Sequence, residues 1–134
     1  MTPFLSRRIW WAAGAALFVT VLLPIVAASR ATGAPSPREI RMVVRDMTFY
    51  IEGRDEPNPT LRVRAGEQIR LVLRNDDRGM SHDFAVGSWQ VTSPLLNSRG
   101  AEAVVVFRVP QRQGTYTYNC TPHAEIMRGN IQVE

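Results

Sequence analysis

Near its C-terminus the chain reads YTYNCTPHAEIMRG, and this stretch places Cys120, His123 and Met127 close together. Cys120 is the only cysteine of the 134 residues, and His123 is one of two histidines. The other, His82, lies well upstream in GMSHDFAV. A lone cysteine cannot close an internal disulfide, so Cys120 is a buried thiol, a reactive thiol, a metal ligand or an intermolecular bridge. Taken with the two imidazoles and a thioether, it completes the donor set of a blue-copper electron-transfer site: two His and one Cys in a trigonal plane, with a long axial Met. Thiolate and thioether suit Cu(I) and imidazole also suits Cu(II), so such a set serves both oxidation states with little rearrangement.

Each residue also has a plainer reading. Met127 is of a type that fills core gaps, and His82 alone would be a half-buried, satisfied histidine. The joint pattern favours ligation, because all the Cys and His in the chain converge on one candidate site. Met80 is a competing thioether close to His82, read here as apolar rim. Tyr116, Tyr118 and Trp89 read as packing. Asp76 and Asp77, in RNDDRG, read as a solvated turn. Hydrolytic chemistry by Cys120 and His123 is disfavoured by their placement on a loop after a strand. A tetrahedral zinc site is disfavoured by the Met and the strand context. Two histidines are too few for the further copper centres of multicopper oxidases and nitrite reductases, so the chain is not expected to be an enzyme.

The elements that must hold these donors read as β-strands. From Glu39 onward there is no sustained helical period. Short runs of period two alternate with turn residues. In QIRLVLRND, Ile69, Leu71 and Leu73 face one way and Arg70 and Arg74 the other. In AEAVVVFRVP, Ala103, Val105, Phe107 and Val109 oppose Val104, Val106 and Arg108. GTYTYNC puts Tyr116, Tyr118 and Cys120 on one side, and Ile131 and Val133 point inward in the last run. SHDFAVGSW reads as a strand starting near His82. About seven or eight short strands in one domain imply an all-β sandwich or small barrel. Arg7, Arg8 and fourteen further arginines supply all the positive charge, which sums with the acids to +4. Within the strands they sit on the outward side, the pattern of a solvated sheet face and not of a nucleic-acid site.

The ending GTYTYNCTPHAEIMRGNIQVE, with its Gly-x-Tyr-x-Tyr-x-Cys run and Cys-Thr-Pro-His tetrapeptide, resembles the cupredoxins, the family of plastocyanin, amicyanin and azurin. The resemblance covers the chain from Ile40 to Glu134. It implies a Greek-key β-sandwich, with one histidine from an interior strand and the remaining ligands from the loop joining the last two strands. By position it implies that His82, Cys120 and His123 are the strong ligands of one copper ion and Met127 the weak axial one. Two features depart from the family pattern. His123 and Met127 are separated by three residues, one fewer than in plastocyanin-like loops and one more than in amicyanin-like loops. Asp83 stands where an Asn often follows the first histidine, so Thr121 or Asn119 is expected to supply the bracing donor.

The N-terminal residues 1–29 read as a signal peptide or an N-terminal membrane anchor. Arg7 and Arg8 precede an apolar run from Ile9 to Ala28, of about twenty residues, long enough to span a bilayer as a hydrophobic helix. Trp10 and Trp11 suit a membrane interface, whereas Pro24 and the small residues Ala27-Ala28-Ser29 and Thr32-Gly33-Ala34 suit cleavage. Both readings place the domain outside the cytoplasm, in the periplasm or on the outer face of the cytoplasmic membrane. Residues 30–38 read as a linker and 39–134 as the folded domain. The expected function is a monomeric one-electron carrier or relay. Its redox-protein partners in a respiratory or other chain would dock at an apolar patch of Met80, Pro122, Ala124 and Ile126 around His123. Copper delivery to an oxidase is the alternative, with membrane contact through residues 9–28 if these are uncleaved.

Overall fold

The computed structural model describes residues 36–134. The expected N-terminal helix and both candidate cleavage sites lie outside the described residues. Within them, no helix is long and apolar enough to cross a membrane. The chain forms strands β1 (Arg38–Arg45), β2 (Thr48–Ile51), β3 (Leu61–Val63), β4 (Gln68–Asn75), β5 (Ala85–Val86), β6 (Val91–Thr92), β7 (Glu102–Arg108), β8 (Gly114–Asn119) and β9 (Arg128–Val133). They make two sheets, ordered β2-β1-β4-β7 and β3-β9-β8-β5-β6. Two of the neighbouring pairs, β1 with β4 and β3 with β9, are parallel and therefore joined by long excursions, while β8 and β9 are an antiparallel pair.

Period two explains which faces meet. In β1, Ile40, Met42 and Val44 are buried while Glu39, Arg41 and Arg45 are exposed. In β4, Ile69, Leu71 and Leu73 are buried on the inner side. Ala103 and Val109 are buried, with Val105 and Phe107 packed at the core's margin. From the other sheet come Leu61, Val63, Ile131, Val133 and Tyr118. The centre is aromatic: Phe84 stacks on Tyr118 with ring centroids 5.3 Å apart, and Phe49 meets Tyr118 edge-on at 5.4 Å. The outer face of the first sheet carries charge in pairs. Arg41 bonds Glu39, Glu52 and Glu102, and Arg74 bonds Glu52 and Asp76. Trp89 packs against Phe107 and Tyr116, as its packing role requires.

The strand expected to start near His82 is shorter than its sequence suggests. His82 makes only an isolated bridge with Leu96, and continuous pairing begins at Ala85. The backbone groups between are satisfied otherwise. His82 and Leu96 exchange N–H···O bonds, the Phe84 N–H donates to Ser93 Oγ, and the Ser93 N–H donates to the Phe84 carbonyl. A 3₁₀ turn, Gly87–Trp89, then ends the run with Gln90 in the left-handed region.

Candidate metal centre

Two separate segments at one end of the sandwich supply the donors. Cys120 is the first residue beyond β8, and the loop back to β9 is short and internally bonded. The Cys120 N–H donates to the Met127 carbonyl at 3.0 Å, the His123 N–H to the Cys120 carbonyl at 3.1 Å, and the Met127 N–H to the His123 carbonyl at 2.9 Å. Residues Thr121–His123 form one 3₁₀ turn, in whose first turn Pro122 forgoes no hydrogen bond and fixes φ. Tyr118, two residues before the thiol, is fully buried and donates its hydroxyl to the Pro59 carbonyl at 2.8 Å. Its cross-strand neighbour is Gly129, two residues after Met127. Both ends of the loop are thus fixed to the core.

His82 arrives from the β4–β5 connection and is fully buried. Its Nδ1 lies 3.6 Å from Cys120 Sγ, and His123 Nδ1 lies 3.5 Å from the same sulfur. The donor atoms of His82, Cys120 and His123 all fall within 4.8 Å of one another. Such spacings fit one first-row ion held at about 2.0–2.3 Å from each nitrogen and sulfur. Three expected ligands are therefore gathered into one cluster. Met127, the fourth, is fully buried on the same loop, its backbone bonded to both Cys120 and His123. Met80 is 43% exposed, as a rim residue would be.

Burial sets the protonation of the cluster. It pushes the Cys120 thiol above its ordinary range, an effect reinforced by the Asp83 carboxylate charge and opposed by backbone N–H bonds. It lowers His82, against the opposing charge of Asp77. The protein therefore holds a neutral imidazole facing a thiol, and the thiol proton must leave as a metal binds.

The surrounding hydrogen bonds are those the sequence did not reveal. Asp83, buried, accepts the backbone N–H of Thr121 at 2.6 Å, tying the His82 segment to the Cys120 loop. Thr121 is indeed the donor, through its main chain. Asn75, fully buried, donates Nδ2 to the carbonyls of Met80 and Leu96 and accepts the Asp77 N–H, so it shapes the loop that presents His82. Asp77 is not a solvated turn residue: its carboxylate bonds His82 Nε2 at 3.1 Å and two backbone N–H groups. The one sequence signal for it was proximity to His82, which a turn-rich context masked.

Comparison with known proteins agrees with this geometry. The family model for copper binding proteins of the plastocyanin/azurin type matches residues 56–134. The fold is similar to that of auracyanin B, at a TM-score of 0.59 and 20% identity over 75% of this chain and 92% of that one. It is also similar to auracyanin A, a "blue" copper protein of the green thermophilic photosynthetic bacterium Chloroflexus aurantiacus, at 0.57 and 20%, covering 74% and 100%. The McoA multicopper oxidase of the hyperthermophile Aquifex aeolicus shares the fold at 0.58 and 16%, but the match covers only 27% of that larger chain and 75% of this one. None of the curated proteins matches by sequence.

Proposed function

The chain belongs to the plastocyanin/azurin family of copper-binding proteins, the cupredoxins, with copper as its cofactor, and we propose that it is a one-electron carrier or relay on the extracytoplasmic side of a membrane. The observation that carries this reading is the preset cluster of His82, Cys120 and His123, buried except at the His123 edge. Bound copper supplies one-electron exchange between Cu(II) and Cu(I). The protein's part is to hold the donors still. His82 is fixed by its bridge to Leu96, and Cys120 by the Met127 carbonyl and the Asp83–Thr121 bond. Met127, buried on the same loop, would supply the fourth donor, a thioether.

In this reading a redox partner docks near His123, at exposed apolar side chains close in sequence to the ligands and to Leu96. Met80, Leu95 and Ile126 are large apolar side chains exposed at 43, 48 and 61%. Leu95, adjoining the residue that bridges His82, was not anticipated from sequence. A small apolar surface of this kind suits brief encounters with redox proteins, and electrons would pass through the His123 edge. Two histidines cannot furnish the further copper centres of an oxidase, so the reading is a carrier and not an enzyme. The extracytoplasmic placement rests on Arg7, Arg8 and the apolar run 9–28.

Addition of Cu(II) to the full chain tests the proposal. An intense thiolate-to-copper band is expected, lost in Cys120→Ser and absent with Zn(II). Reduction by respiratory donors should then scale with copper loading. Rates indifferent to loading would end the carrier reading, and ready release of copper to an acceptor apoprotein would support delivery instead.

A further inference from the structure

Asp77 joins two features that are unrelated in sequence. Its Oδ1 accepts the backbone N–H of Asp46 at 2.6 Å; its Oδ2 accepts the N–H of Met47 at 3.0 Å and faces His82 Nε2 at 3.1 Å. Asp46 and Met47 are the two central residues of the β1–β2 hairpin turn, between the paired residues Arg45 and Thr48. Both have positive φ, 51° and 56°. Two consecutive left-handed residues make the turn that best matches strand twist, but the favoured occupants are Asn-Gly or Asp-Gly. Here a methionine takes the second position, and one carboxylate takes both N–H groups of the turn. The Asp77 side chain is 13% exposed, and among the described residues the basic side chain its carboxylate meets is His82. The arginine nearest in sequence on the strand side, Arg74, is engaged with Asp76 and Glu52.

We propose that Asp77 is a positioning residue that tunes the copper site through His82, favouring the oxidised ion. The proposal rests on the copper reading of the cluster. An ionised carboxylate only accepts, so Nε2 carries the proton and Nδ1 keeps its lone pair toward Cys120 Sγ. The tautomer required for ligation is thereby selected before any metal arrives. The same bond makes the imidazole a stronger donor and places a negative charge one ring away from the metal, which stabilises the higher charge state. Asn75 accepts the Asp77 N–H at 2.9 Å and holds its backbone, while the two N–H groups of the β1–β2 turn hold its carboxylate. The turn is thus part of the support of the metal centre.

Asp77→Asn keeps the shape and removes the charge. Outer partners of ligating histidines alter metal affinity by about 10–100-fold. The expected result is about a tenfold loss of Cu(II) affinity relative to Cu(I), read as a reduction potential raised by about 59 mV for one electron. The thiolate-to-copper band should persist. Asp76→Asn, which removes a neighbouring charge paired to Arg74, should leave the potential in place. If Asp77→Asn lowers the melting temperature of the apo protein while its potential matches the unmodified protein, Asp77 only holds the turn and the proposal is overturned. Absence of the band in the unmodified protein would instead refute the copper reading itself. Should Asp77→Asn not fold, NMR of the unmodified metal-free protein decides: a slowly exchanging His82 Nε2 proton is expected, and a neutral ring protonated on Nδ1 overturns the proposal.

Discussion

Gly129→Ala should damage both the fold and the copper chromophore. Gly129 lies opposite Tyr118 across the β8–β9 pair, and the phenol ring lies over it. A Cβ added at Gly129 would stand 2.6 Å from Tyr118 Cε1 and closer still to Cζ and Oη. The backbone there does not require glycine, so the whole cost is steric. The ring cannot swing away freely: it is fully buried, stacked on Phe84 at 5.3 Å and edge-on to Phe49 at 5.4 Å. Relief to ordinary contact needs a shift of about 1 Å, with overpacking costs of about 1–3 kcal/mol. That shift also takes the hydroxyl off the Pro59 carbonyl, adding about 1–3 kcal/mol for a buried unsatisfied group. The two together predict a loss of about 2–6 kcal/mol by denaturant unfolding of the apo protein. Because Tyr118 and Gly129 flank the ligand loop, the Cu(II) band should weaken as well. The double variant Tyr118→Leu with Gly129→Ala should recover most of the steric part, giving a favourable coupling energy. Gly87→Ala, where an added Cβ meets nothing within 4 Å, is the control and should be near neutral. Stability of Gly129→Ala within about 0.5 kcal/mol of the unmodified protein, the range of ordinary surface changes, would refute this account of the β8–β9 contact.

Tyr118→Phe should cost about 1–3 kcal/mol in denaturant unfolding, because it leaves the Pro59 carbonyl unpaired. Asp83→Asn retains an acceptor for the Thr121 N–H and should keep the copper band, whereas Asp83→Ala should lower apo stability by about 1–3 kcal/mol and broaden the band. Equal behaviour of the two variants would show that the 2.6 Å Asp83–Thr121 bond does not brace the loop. Copper binds the folded cluster and not the unfolded chain, so free metal at 100 times the dissociation constant should add about 2.7 kcal/mol to stability. Cys120→Ser should lose most of that gain, as read from melting temperatures with and without Cu(II).

The donor types were legible from the chain alone because they are properties of single residues. One thiol, two imidazoles and a thioether admit few metal sites, and the period-two runs admit few folds. The inward faces of β1, β4, β7, β8 and β9 follow directly from alternation of side chains along a strand. What only the tertiary structure decided are the relations between residues distant in sequence. The 3.6 Å approach of His82 to Cys120 depends on two sheets closing over an aromatic centre. Asp76 and Asp77 look alike in RNDDRG, yet one pairs with Arg74 on the outer face and the other with His82 at the metal site. Nothing in the local sequence marks Gly129 as the residue over which the Tyr118 ring lies. A hydrogen-bond acceptor or a packing contact is chosen by whatever the fold brings within about 3 Å, and local sequence carries no record of that choice.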